Sequence, residues 1–91
     1  GLSAREELIR AYVLLAQTFA FEEQWTESTR LLALVRLTVR RHKLPLTSSE
    51  AVTVKNGTAL AKQALGEKQF QVVWREGELM GEAEMVNKIL G

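Results

Sequence analysis

The densest run of charged side chains in this 91-residue chain is Arg36, Arg40, Arg41, His42 and Lys43. Cations at that density can grip phosphate, and the phosphate-contact candidates are Arg36, Arg40, Arg41 and Lys43. A structural reading competes with that one and is preferred, because positive charge in the last turn of a helix complements its macrodipole. His42 is the sole imidazole and has no acid or sulfur companion at metal-ligand spacing, so neither a zinc site nor a catalytic base is expected on it. The paired carboxylates Glu6-Glu7, Glu22-Glu23 and Glu76/Glu78 are one or two residues apart. On a helix such neighbours point to different faces, which leaves them unable to share a proton-transfer task. Asn56-Gly57-Thr58 fits the glycosylation pattern but stands in a chain with no other mark of secretion, and it is discounted.

The composition removes further chemistry. There is no Cys and no Asp, all eleven acids being Glu. Disulfides, thiolate metal sites, a Ser-His-Asp triad and Asp-based calcium or magnesium sites are therefore excluded within this chain. Gly66, Gly77 and Gly81 never fall into a phosphate-cradling spacing. No catalytic residue, cofactor or metal is expected. Twelve Lys and Arg against eleven acids leave a net charge of +1, too balanced for long-range attraction to a polyanion. No apolar run approaches the roughly 20 residues needed to span a bilayer, and a cytoplasmic protein is expected. The opening Gly1-Leu2-Ser3, without Met, leads us to expect a piece of a longer protein.

The elements that carry these residues are helices. Pro45 is the only proline, and long stretches rich in Ala, Leu, Glu, Lys, Arg and Gln separate the few turn signals. Ser3 to Glu6 reads as a capping box opening a first helix, on which Leu8, Tyr12, Leu15 and Phe19 form one stripe and Ile9, Val13, Ala16 and Ala20 a second. Phe21 to Gln24 is a hairpin-length junction. A second helix is predicted from Trp25 to His42, with apolar residues around most of its circumference, so it should be sandwiched. Pro45 ends it. Thr47 to Glu50 is a second capping box, and Ala51, Val54, Thr58, Ala61 and Leu65 mark the inner face of a third helix, taken as continuous through Asn56-Gly57. Gly66 is expected as a left-handed C-cap. A fourth helix buries Phe70, Val73, Trp74 and Gly77, and a short fifth is expected from Glu82 to Leu90.

Counted from Trp25, the residues Tyr12, Leu15, Ala16, Phe19, Ser28, Leu32 and Val35 resemble a tetratricopeptide repeat. In that pattern large residues of one helix pack on the next, and small residues, here Ala16 and Ser28, let the backbones approach. Glu23 stands where the pattern favours Gly, Ser28 where it prefers Ala, and Arg40 where it often has Pro. Farther along, Leu31-Leu32-Ala33-Leu34, Arg36, Leu46, Glu50, Leu65 to Phe70 and Val73 to Met80 resemble the C-terminal end of large bacterial ATPase-type transcriptional regulators, which often carry a LuxR-type or BTAD-type DNA-binding domain. This likeness covers about residues 31–90. It implies a repeat-array terminus, with ATP hydrolysis and DNA binding located elsewhere in the parent molecule.

The resulting expectation is an all-α domain over residues 1–91, a right-handed tetratricopeptide-like array of about five helices in antiparallel hairpins. Residues 1–45 would form the repeat hairpin and 46–91 the capping helices. Its core is drawn from Tyr12, Leu15, Phe19, Trp25, Leu32, Val35, Phe70 and Trp74. Its function is non-catalytic: a scaffold that contacts a protein partner or other repeats of the parent chain. Arg5, Arg10, Gln17, Arg30 and Arg36, on the groove side of the first two helices, are the candidate contacts with an acidic segment. A homodimer through the uncapped face of the first helix stays open, as does a nucleic-acid-binding module that uses the basic face of the second. No membrane partner is expected.

Overall fold

The computed structural model describes residues 4–80, which form four helices: α1 (Ala4–Phe21), α2 (Trp25–His42), α3 (Ser48–Leu65) and α4 (Glu67–Leu79). No strand occurs among them. The first capping box, which needs Ser3, and the expected fifth helix from Glu82 to Leu90 lie outside the described residues, so the count stands at four where five were expected.

The boundaries follow from local chemistry. Between α1 and α2 the chain reverses through Glu22, Glu23 and Gln24, with Glu23 at φ 62°, a left-handed conformation that Gly adopts without penalty and other residues rarely take. The end of α2 is closed by Lys43, also left-handed at φ 52°, and Leu44 N–H donates to the Val39 carbonyl at 3.1 Å. Arg40, Arg41 and His42 occupy the last turn, where the carbonyl dipoles favour positive charge. The second capping box is present: Glu50 N–H donates to Thr47 Oγ1 at 3.1 Å, and Thr47 N–H donates to Glu50 Oε1 at 2.9 Å. From that cap α3 runs unbroken through Asn56-Gly57. Packing has outweighed the weak helix propensity of Gly.

Gly66 alone joins α3 to α4. Its N–H closes α3 on the Lys62 carbonyl at 2.9 Å, and its own carbonyl accepts the Phe70 N–H at 2.8 Å, which opens α4. The expected left-handed helical C-cap is corrected here. At φ 84° and ψ 152° the residue occupies an extended, positive-φ region that is essentially confined to glycine.

Helix α2 is the central element and touches each of the other three. Leu31, Leu32, Ala33, Leu34 and Val35 are all buried, as a helix sandwiched between neighbours requires. Ile9, Tyr12, Val13 and Ala16 of α1 and Val54 of α3 complete the main cluster, with Leu8, Leu15, Phe19, Leu44, Leu46 and Trp74 packed against it. On the far side Phe70 and Val73 are buried, and the Phe70 and Trp74 rings stack at a centroid distance of 5.4 Å. Trp25 departs from the expected core. It is half-buried and stands beside an open groove instead of inside the cluster.

The two sides of α2 are held differently. Toward α1, Ser28 Oγ donates to the Ala16 carbonyl at 2.8 Å in a buried contact, so the helices meet at the two small residues that were expected to bring them close. Toward α4, the backbones also come close. A Cβ on Gly77 would lie 2.7 Å from the Arg30 carbonyl oxygen and 2.9 Å from Ala33 Cβ, so only glycine fits. No described helix is long and apolar enough to cross a membrane.

Candidate functional site

Where α1 and α3 flank α2 they leave a groove of about 580 Å³. Small side chains create it. Ala16 and Ala20 on α1 and Gly57 on α3 have too little volume to fill the space above Leu32 of α2, and Ser28 completes the floor. Val13, Phe21 and Leu60 supply apolar walls, with Trp25 at the end nearest the α1–α2 turn. Phe21 is 92% exposed and Leu60 52% exposed, although both are large and apolar. Gln17, Thr53 and Asn56 place amide and hydroxyl groups among them, and Glu23 adds a carboxylate at the turn. The volume falls within the range of clefts that hold small ligands or a few side chains of a peptide.

The expected contact residues do not share this surface. Gln17 lines the groove, whereas Arg5 and Arg10 are exposed outside it, with Arg10 Nε 3.9 Å from a carboxylate oxygen of Glu50. Arg30 is corrected most sharply: its side chain is only 15% exposed and is wedged toward α4. One guanidinium nitrogen donates to Glu27 Oε1 at 2.8 Å and another to Glu76 Oε1 at 3.1 Å. Its Nε is buried with no hydrogen-bond partner. Arg36 lies on yet another surface, a shallow cleft of about 390 Å³ shared with Thr58, Phe70, Trp74, Arg75 and Glu78. Six positions separate Arg30 from Arg36, which places them on different faces of one helix.

The phosphate candidates are closer together. Arg36, Arg40 and Lys43 recur at spacings of four and three near the end of α2, and with Arg41 all four are exposed. A carboxylate answers them. Arg40 donates to Glu78 Oε2 at 3.3 Å, and Glu78 also lines the clefts that include Arg36 and Arg41. Among the described residues no group of three or more His, Cys, Asp or Glu could hold a metal ion.

Sequence reasoning missed Phe21, Thr53, Asn56 and Leu60 as groove residues. Phe21 carried a signal, a large aromatic residue at a polar junction, but Asn56 and Leu60 fall off the inner stripe of α3 and gave none. No family model, curated protein sequence or solved structure matches the chain.

Proposed function

We propose that this chain is a non-catalytic interaction module that takes a short peptide segment of a partner protein, or of its own parent chain, into the groove between α1 and α3. The observation that carries the reading is the pairing of an unfilled apolar groove with exposed Phe21 and Leu60 on its walls. Exposed apolar surface around a concavity is the usual mark of a binding site. Gln17, Thr53 and Asn56 can satisfy the backbone groups of a bound segment, which would otherwise lose their hydrogen bonds to water.

A tetratricopeptide-like hairpin is part of this proposal. Two details support it: the buried contact of Ser28 with Ala16, at the positions where the pattern takes small residues, and the positive φ of Glu23, where the pattern takes Gly. Under the same reading the chain serves as the C-terminal repeat end of a bacterial regulator, whose nucleotide and DNA chemistry belongs to other segments. Glu78 weighs against a phosphate site on the basic end of α2, since it lies beside Arg36, Arg40 and Arg41 and would repel a polyanion.

The test is a substitution inside the groove. Leu60→Lys places a charge on an exposed wall without touching the core, and it should abolish binding of peptides selected against the wild-type chain while leaving the helical circular dichroism unchanged. Selected peptides that bind Leu60→Lys as tightly as wild type would rule out the groove.

A further inference from the structure

The groove differs at its two ends, and that difference constrains what it takes. Helix α1 finishes with no basic residue in its last turn, unlike α2 and α3. Glu22 and Glu23 follow immediately. The last carbonyls of a helix carry a partial negative charge of about half an electron, so two carboxylates there add to a field that a cation would normally neutralise. Of the other described acids, Glu6 and Glu7 stand in the first turn of α1, where the helix dipole favours negative charge, and Glu27, Glu50, Glu67, Glu76 and Glu78 each have an Arg or Lys nitrogen within 4.0 Å. Among the described residues Glu22 and Glu23 have no such cation, and Glu22 accepts only an amide hydrogen from Gln24 Nε2 at 3.3 Å. Glu23 moreover occupies a left-handed position that residues with a Cβ rarely take. Phe21 and Trp25 border the same end and bring aromatic surface, which favours a cation and its alkyl stem.

We infer that the occupant of the groove is an apolar peptide segment bearing a lysine or arginine at the end that lies over Glu22 and Glu23. The inference rests on the groove being the binding site. It reverses the polarity suggested by the sequence, in which arginines of the first two helices would meet an acidic partner, because Arg30 and Arg36 face other surfaces and carboxylates flank the groove. The apolar residues of the segment fill the space over Leu32 and Gly57, and its cation supplies the charge that the end of α1 lacks.

The experiment uses the 91-residue chain and a displayed library of short random peptides, followed by titration of the enriched peptides against wild type, the double variant Glu22→Gln/Glu23→Gln, and Leu60→Lys. Enriched peptides should carry Lys or Arg at one end of an apolar stretch. Their affinity should fall about tenfold or more, equivalent to about 1.4 kcal/mol, in the double variant. It should fall comparably in about 1 M salt, where the screening length shrinks to about 3 Å. Peptides that are neutral or acidic, lose binding in Leu60→Lys and bind the double variant as well as wild type would overturn the charge inference and leave the groove standing. Absence of enrichment, or binding indifferent to Leu60→Lys, would overturn both.

Discussion

Gly57 and Gly77 both face α2, one from α3 and the other from α4, and they have opposite meanings. At Gly77 a methyl group would collide with Arg30 backbone and Ala33 side chain, whereas at Gly57 it would meet Leu32 Cδ1 at 3.4 Å, an ordinary contact. The same residue type allows helix–helix contact on one side and leaves space on the other. The tight side is further clamped by Arg30, whose guanidinium joins Glu27 and Glu76. Its closeness therefore belongs to the fold, and the vacancy beside Gly57 belongs to the site.

Four substitutions test that contrast. Gly77→Ala should have the largest effect: the added methyl meets rigid backbone of Arg30, which puts the overpacking cost at the upper end of its usual range, about 3 kcal/mol or more, and the helix-propensity gain of about 1 kcal/mol offsets only part of it, for a net loss of about 2 kcal/mol or more. Chemical denaturation should show a lower midpoint. Arg30→Met keeps much of the stem packing but strands Glu27 and Glu76, for an expected loss of about 1–2 kcal/mol. Because Glu76 is half exposed, the larger penalties of fully buried pairs do not apply. Gly57→Ala should go the other way and stabilise α3 by about 0.5–1 kcal/mol, visible as a raised Tm. Its added methyl should also narrow the groove and weaken bound peptides. Glu23→Gly should give the smallest change, a gain of a few tenths to about 1 kcal/mol: relief of the left-handed strain is partly offset by the extra freedom of glycine in the unfolded chain.

The clamped side was more legible in the sequence than the open side. Phe70, Val73, Trp74 and Gly77 recur at helical spacing, and periodicity alone places them on one buried face. Likewise the bounds of α2 follow from the polar junction before Trp25 and from Pro45 after it, and Thr47 and Glu50 announce the start of α3. The groove is different in kind. It arises from volume missing on two helices at once, at Ala16 and Ala20 and at Gly57, and which absences oppose each other depends on how α1 and α3 are set along α2. No single-helix pattern encodes that relation. Arg30 was misread because a long side chain on a polar stripe can swing across a neighbouring helix and become buried, and only the approach of α4 through Gly77 shows that it does. Trp25 was misread because size alone implies core, whereas the small residues around it leave one side open.

The most direct measurement is amide and indole chemical-shift mapping of the chain with a selected peptide. Binding in the groove predicts shifts concentrated at Gln17, Glu23, the Trp25 indole N–H, Asn56, Gly57 and Leu60, with little change around Arg36 and Trp74. Shifts gathered instead at Arg36, Arg40, Gln71 and Trp74 would contradict the assignment and move the interaction surface to the α4 side of α2.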